Sequence, residues 1–286
     1  MSTPYFAEVS VIGAGTMGNG IAQTFAANGF QVKLIDVNKD ALDRGLATIA
    51  KSLDRFVKKE KMTQAQVDEI LSRIEGSTEI GAAVDSQLVV EAVVERIEVK
   101  HAIFKELDEL CPQDTILATN TSSISITEIA AATKRPGKVI GMHFMNPVPL
   151  MKLVEIIRGH ETSKETMTAI LECSESLGKT PVEAADYPGF VANRVLMPMI
   201  NEAVYCLMEG VATAEGIDTV MKLGMAHPMG PLQLADLIGL DICLDIMRVL
   251  HDGFGDSKYR PCPLLARMVA AGNLGRKSGK GFYDYN

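Results

Sequence analysis

A chain of 286 residues is long enough to bury a substantial core, and it divides more naturally into two domains than one, since single cores stop growing at about 250 to 300 residues. Hydrophobic residues make up 47% and charged residues 22%, ordinary for a globular protein. A net charge of −8 speaks against a general nucleic-acid or membrane-surface binder and leaves small molecules and proteins as partners. Cys111, Cys173, Cys206, Cys243 and Cys262 are scattered without CxxC spacing, so neither a disulfide framework nor a metal cluster is indicated, and a reducing, cytoplasmic location is expected. No apolar run approaches the roughly 20 residues of a membrane span, and the few residues before the first strand are too short for a signal or transit sequence.

The chain opens with a short apolar strand through Val9, Val11 and Ile12, which runs into Gly13-Ala14-Gly15-Thr16-Met17-Gly18. Helical spacing of Ile21, Ala22, Phe25 and Ala26 follows, up to a stop at Asn28-Gly29, and a second strand from Phe30 to Ile35 ends at Asp36. A lone GxGxxG is weak evidence, but here strand, glycine turn, helix, strand and terminal acid fall in the order of a dinucleotide-binding βαβ unit. Gly13 permits the tight turn, Gly15 lets the backbone approach a pyrophosphate, and Gly18 allows close packing of helix on strand. The helix N-terminus then faces the phosphates with unpaired N–H groups and the positive end of its dipole. Asp36, eighteen residues beyond Gly18, is placed to bond the adenosine ribose and repel a 2′-phosphate, which favours NAD over NADP.

Asn38 caps a long helix whose buried stripe is Leu42, Leu46, Ile49, Leu53 and Phe56. Thr63 and Gln66 form a capping box for a second helix carrying Val67, Ile70, Leu71 and Ile74 inward and stopped by Gly76, so the two helices read as an antiparallel hairpin inserted before the third strand. Lys51, Arg55, Lys58, Lys59 and Lys61 crowd the end of the first helix; the pattern fits a phosphate-holding patch, but charges interspersed with Asp54 and Glu60 fit solvated surface better.

Gln87 to Val93 reads as a strand buried on both faces, with Ile97 to Leu110 as its helix. Strand Thr115 to Ala118 leads into Thr119-Asn120-Thr121-Ser122-Ser123, either a ligand-binding cluster at a strand's carboxyl end or a cap for a helix around Ile126 to Ala132. Strand Lys138 to Phe144 carries His143, a turn through Asn146-Pro147-Val148-Pro149 is stiffened by its prolines, and strand Lys152 to Arg158 contains Glu155. A histidine at the mouth of such a sheet with a carboxylate one strand later has the parts of a general base and its orienting partner, although each alone reads as an ordinary core or surface residue. A helix from Ser163 to Leu177 and a strand from Pro181 to Ala184 complete a first domain, residues 1–186.

Asp186-Tyr187-Pro188-Gly189 is a turn-rich junction, beyond which residues 187–286 are helical throughout. The expected helices are Phe190 to Glu209, interrupted by Pro198; Ala214 to Leu223; a longer one within Leu232 to Leu250; and Pro263 to Ala271. Leu196, Met197, Met199, Ile200, Val204 and Leu207, with Ile238, Leu240, Ile242, Leu244, Ile246 and Met247, are more apolar than one face of a small domain needs, which suits a partner surface as well as plain core. The fold expected is therefore α/β: an N-terminal Rossmann-type, mostly parallel sheet with a helical-hairpin insertion, plus a C-terminal all-helical domain.

The glycine motif, Asn120-Thr121-Ser122-Ser123, and His143-Phe144-Met145-Asn146-Pro147-Val148-Pro149 together make the chain resemble the 3-hydroxyacyl-CoA dehydrogenases. The likeness continues through Met151-Lys152-Leu153-Val154-Glu155, Pro188-Gly189-Phe190-Val191-Ala192-Asn193-Arg194, His227-Pro228-Met229-Gly230-Pro231 and Gly275-Arg276-Lys277-Ser278-Gly279. It thus spans essentially the whole chain, at a length that matches free-standing rather than fused members of the family. The resemblance implies His143 as catalytic base, Glu155 as its orienting carboxylate, and Ser122 and Asn193 as hydrogen-bonding partners around the reacting oxygen or the histidine. It implies NAD contacts from Asp36, Glu95, Lys100, Asn146 and Lys277 beside the glycine loop with Thr16 and Met17, and acyl-CoA contacts from Ser52 and Lys59, which turns the basic helix end into a CoA clamp. It also implies a homodimer formed through the helical domain, which closes the substrate cleft, and no metal. The implied reaction interconverts a (3S)-3-hydroxyacyl-CoA, hydroxybutyryl-CoA foremost, with its 3-oxoacyl-CoA. A β-hydroxy acid dehydrogenase using a lysine on non-CoA substrates is the enzyme alternative. A non-catalytic, crystallin-like nucleotide binder is the other, and Ser122, His143, Glu155 and Asn193 standing together speak against it.

Overall fold

A computed structural model of the protein describes residues 6–285. It falls into two compact units, one ending at Asp186 and one beginning at Tyr187. In the first, β1 (Glu8–Ile12), α1 (Thr16–Ala27) and β2 (Gln31–Ile35) form the opening βαβ unit, followed by helices α2 (Lys39–Lys58) and α3 (Gln64–Ser72) and by β3 (Ile74–Ser77). Then come β4 (Leu88–Glu91), α4 (Ile97–Leu110), β5 (Ile116–Thr119), α5 (Ile126–Ala130), β6 (Val139–Phe144), β7 (Leu153–Arg158), α6 (Lys164–Ser176) and β8 (Thr180–Ala185). The eight strands form one sheet in the order β3-β2-β1-β4-β5-β6-β7-β8, and every neighbouring pair is parallel except β6 with β7. This is the expected Rossmann-type layout, with the order reversing at β1, between β2 and β4, which is where open α/β sheets bind ligands.

The parallel strands are buried because helices cover them: all four residues of β4 and of β5 are inaccessible. Val9, Val11, Ile21, Phe25, Leu34 and Ile140 are fully or almost fully buried in one core, each side chain contributing roughly 1.5 to 3 kcal/mol by leaving water. Asn38 caps α2 by accepting from the Ala41 N–H at 3.0 Å, and the Thr63/Gln66 capping box opens α3.

One expectation in this unit fails. The second helix does not run to Gly76 but ends at Ser72, and Ile74–Ser77 is an edge strand paired in parallel with β2. Gly76 works there as a strand residue over which α2 packs: a Cβ would lie 3.1 Å from Leu46 Cδ1. The hairpin is therefore followed at once by a strand the periodicity does not announce.

The second unit contains α7 (Ala192–Met208), α8 (Ala214–Gly224), α9 (Pro231–Ile238), α10 (Leu240–Phe254) and α11 (Pro263–Ala270). Two helix readings are corrected. α7 continues through Pro198, whose ring removes one hydrogen bond while Met197, Ile200, Asn201 and Val204 on the same helix are buried. The single helix expected within Leu232–Leu250 is two, broken at Gly239, whose φ of 108° lies outside the helical region. Most of the apolar residues singled out in this unit are core: Met197, Ile200, Val204, Leu240, Leu244, Ile246 and Met247 are buried. Of that set Ile242 is exposed, and further exposed apolar side chains include Val220, Leu223 and Met225 around the end of α8, with Val195, Val211 and Leu237 elsewhere. Buried Asp236 accepts from the backbone N–H groups of Phe282 and Tyr283 and from the Tyr285 hydroxyl, tying the C-terminal segment to α9. No helix among the described residues is long and apolar enough to cross a membrane.

Candidate active site

The glycine loop joins β1 to α1 at the switch point. Gly13 adopts φ 99°, its N–H donates to Ile35 O at 2.7 Å, and a Cβ there would lie 2.7 Å from Ala92 O. A Cβ on Gly18 would lie 1.7 Å from Gly13 O, so helix and loop touch backbone to backbone. Gly15 differs: nothing lies within 4 Å of its hypothetical Cβ, and no side chain caps α1. Asp36 at the end of β2 accepts from the Ala14 N–H and the Asn38 N–H, both at 2.9 Å, which fixes its carboxylate beside the loop. A cavity of about 750 Å³ runs past Gly13, Gly15, Thr16, Met17 and Asp36 to Ile80 and Val94. An open glycine face, uncapped helix start, fixed acid and largely apolar cavity fit a dinucleotide.

A second cavity of about 470 Å³ adjoins the other side of the loop, lined by Gly15, Thr16, Lys51, Ser52, Arg55 and Asn146 among others. Beside it, about 230 Å³ is enclosed by Ser52, Phe56, Lys59, Pro147, Pro149 and Leu150. Ser52 and Lys59 thus share one hollow between α2 and the proline turn, a juxtaposition that helical spacing and the turn together produce.

β6 and β7 run antiparallel with His143 directly opposite Glu155, so the pair that is twelve residues apart in sequence shares one face of the sheet. His143 Nδ1 lies 2.8 Å from Glu155 Oε2, with both side chains buried. The carboxylate accepts only, so Nδ1 carries the proton and Nε2 is the ring's basic nitrogen. Asn120 Oδ1 accepts from the Phe144 N–H at 2.9 Å and so holds the loop bearing Ser122 against the end of β6.

Glu95 organises that loop from the other side, its Oε1 accepting from the Thr121 hydroxyl at 2.5 Å, the Ser122 N–H at 2.9 Å and the Ser123 N–H at 3.2 Å. Burial alone raises the Glu95 carboxyl, but the Lys100 charge and the hydrogen bonds from Thr121 and Ser122 outweigh it and hold the group below its ordinary value. Lys100 is itself buried, 2.8 and 2.9 Å from the Glu91 oxygens and 3.3 Å from Glu95. Thr119 and Thr121 belong to the polar cluster that the sequence places at the end of β5, whereas Glu91 is not singled out there; its available signal is a carboxylate closing the apolar run Leu88-Val89-Val90.

The other two implied site residues belong to the helical unit. Asn193 is buried in the first turn of α7, and Lys277 follows α11 with its ammonium 2.6 Å from Asp241 Oδ2.

A mostly parallel sheet with a glycine loop at its switch point, an acid ending β2 and a buried histidine–carboxylate pair at the strand ends defines the dinucleotide-dependent oxidoreductases. More narrowly, the chain belongs to the 3-hydroxyacyl-CoA dehydrogenase family: the family's NAD binding domain matches residues 8–187 and its C-terminal domain residues 189–285. It is 59% identical over 278 residues to "Probable 3-hydroxybutyryl-CoA dehydrogenase" of Bacillus subtilis, covering 97% of each chain. To 3-hydroxybutyryl-CoA dehydrogenase of Clostridioides difficile it is 56% identical over 279 residues, 98% of this chain and 99% of that one. The crystal structure of (S)-3-hydroxybutyryl-CoA dehydrogenase from Ralstonia eutropha superimposes with a TM-score of 0.96 at 51% identity, covering 98% of this chain and 99% of that chain.

Proposed function

We propose that the chain is an NAD-dependent dehydrogenase interconverting (3S)-3-hydroxyacyl-CoA, 3-hydroxybutyryl-CoA foremost, and the corresponding 3-oxoacyl-CoA. The observation that carries this reading is the buried His143–Glu155 pair at the carboxyl end of the sheet, beside the Ser122 loop. Oxidation of an alcohol needs a group that accepts the hydroxyl proton as hydride departs, and His143 Nε2 takes that proton. Bound nicotinamide supplies the hydride acceptor. Glu155 fixes the ring tautomer through Nδ1–H and stabilises the imidazolium that results; in reduction the same imidazolium returns the proton to the forming alcohol. Ser122 and Asn193 serve as hydrogen-bonding partners of the reacting oxygen or the histidine. Gly13, Gly15, Thr16, Met17, Gly18 and Asp36 hold the dinucleotide, with Glu95, Lys100, Asn146 and Lys277 as its further partners. The test is NADH oxidation with acetoacetyl-CoA and longer 3-oxoacyl thioesters; turnover of free 3-hydroxy acids with none of thioesters would overturn the substrate assignment.

Two expectations follow for binding. With Asp36 held by two backbone donors, its charge faces any 2′-phosphate, so kcat/KM with NADH should exceed that with NADPH by at least about ten-fold, a like-charge penalty of about 1.4 kcal/mol. Parity between the two cofactors in steady-state assays removes this role from Asp36. Ser52 and Lys59 are assigned to the CoA nucleotide, away from the reacting carbon. Lys59→Ala should therefore raise KM for acetoacetyl-CoA roughly ten-fold and leave kcat near wild type, as expected when binding is lost equally from ground and transition states. An unchanged KM returns Lys59 to plain surface.

The exposed Val220, Leu223 and Met225 are assigned to a homodimer interface, for which light scattering should give twice the 30.9 kDa chain mass. A cytoplasmic setting suits the five free cysteines, of which burial pushes Cys173 and Cys243 up to about 12.

A further inference from the structure

Glu91 is wholly inaccessible and Lys100 nearly so, at 0% and 1% exposure. Burying two charges is costly unless every hydrogen-bonding site is met, and here the Glu91 sites are. Its Oε1 takes Lys100 Nζ at 2.8 Å and the Val93 N–H at 2.7 Å; its Oε2 takes Lys100 Nζ at 2.9 Å and the Thr119 hydroxyl at 2.7 Å. The ammonium has carboxylate oxygens from both Glu91 and Glu95 around it, the Glu95 contact being 3.3 Å. Glu95, 36% exposed, is the outermost member of this chain of charges and receives the Thr121 hydroxyl and the Ser122 and Ser123 N–H groups. An ordered path therefore runs from the buried end of β4 to the candidate catalytic loop: Thr119 and Val93 fix Glu91, Glu91 fixes Lys100, Lys100 fixes Glu95, and Glu95 fixes Thr121 to Ser123.

We propose that Glu91 is a positioning residue for the reaction, acting through Lys100 and Glu95 to hold the Ser122 loop. The assignment of a reacting role to Ser122 rests on the function proposed above. The charge arithmetic explains why two acids flank one lysine. With Glu91 ionised, Lys100 is shared between two carboxylates, and Glu95 keeps accepting capacity for the loop amides. With Glu91 replaced by glutamine, Lys100 is drawn onto Glu95 alone and competes with the Ser122 and Ser123 N–H groups for the same carboxylate, while the new amide NH₂ opposes a donor wherever it points.

The experiment uses Glu91→Gln and the double variant Glu91→Gln/Lys100→Met, which removes the stranded ammonium if the single change fails to fold. Thermal unfolding, kcat and KM for acetoacetyl-CoA with NADH, and hydrogen exchange of the peptide covering residues 120–125 are measured on each. Glu91→Gln should lower kcat at least ten-fold with KM changed less than three-fold, and should speed exchange in the 120–125 peptide at least ten-fold. The double variant should recover thermal stability but not exchange protection. A merely structural ion pair predicts otherwise: protection returns together with stability in the double variant, and that result overturns the proposal, as does wild-type kcat in folded Glu91→Gln. Because loop exchange is read without substrate, inactivity of the wild-type protein on acetoacetyl-CoA would remove the functional reading while leaving the loop-ordering role of Glu91 separately measurable.

Discussion

Replacing His143 with glutamine should reduce turnover of acetoacetyl-CoA with NADH by ~10² to 10⁴-fold, the range expected when a general acid or base is removed. Glutamine is the informative substitution because its amide N–H can still donate toward Glu155 Oε2, now 2.8 Å from Nδ1, so the buried carboxylate keeps a donor and the fold is spared an uncompensated charge. NADH affinity should then be largely retained, because the glycine loop and Asp36 lie on β1 and β2 rather than on β6. Glu155→Gln should lose part of the same factor, since the ring keeps its place opposite residue 155 but loses the negative charge that favours the imidazolium. The double variant should fall well short of the summed losses, because the two groups act as a unit. Steady-state kinetics of the three variants, with NADH titration of each folded protein, decide the matter. Near-wild-type turnover in His143→Gln would end the proposed mechanism, whereas strictly additive losses would keep the histidine and deny Glu155 its part.

How this site was legible from sequence differs residue by residue. The opening βαβ unit declares itself because each glycine has a distinct steric reason to be there, and the structure adds only that Asp36 also bonds the loop it faces. His143 and Glu155 are individually visible, but their contact depends on the single antiparallel pairing in an otherwise parallel sheet, a register that local pattern does not encode. The Glu91–Lys100–Glu95 chain is hidden for a related reason. Hydrophobic periodicity locates strands and helices, while a buried charge network is defined by which strand ends meet in space, and nothing in the spacing of residues 91, 95 and 100 separates it from a solvated helix start. The fold errors share one cause as well. Gly76 reads from sequence as a helix stop, yet it is a strand residue beneath Leu46, and Gly239, inside the stretch expected to hold one helix, takes a positive φ that splits it into two. Each was decided by tertiary packing.

Two alanine substitutions in the glycine loop should fail in opposite ways. Gly18→Ala places a methyl 1.7 Å from Gly13 O and 2.8 Å from Gly13 C, both backbone atoms. The loop has little freedom to retreat: the Gly13 N–H is bonded to Ile35 O at 2.7 Å, and the neighbouring Ala14 N–H is bonded to Asp36. Helix α1 must move instead, and it carries the fully buried Ile21 and Phe25. Overpacking of this kind costs about 3 kcal/mol, which for a unit of this size lowers the melting temperature by roughly 6 to 12 °C, measured by circular dichroism without cofactor. Gly15→Ala should leave that melting temperature within about 2 °C of wild type, because its φ of −64° suits any residue and its methyl meets nothing within 4 Å. What it should lose is the cofactor. The space it fills is the approach to the start of α1, where a pyrophosphate must come close to the backbone N–H groups, so the Kd for NADH should rise at least ten-fold and NADH should no longer raise the melting temperature at concentrations that stabilise wild type. Unchanged melting of Gly18→Ala would show that the close approach of α1 to the loop is dispensable. Wild-type NADH affinity in Gly15→Ala would take the phosphates away from this loop, and with them the assignment of the neighbouring cavity to the dinucleotide.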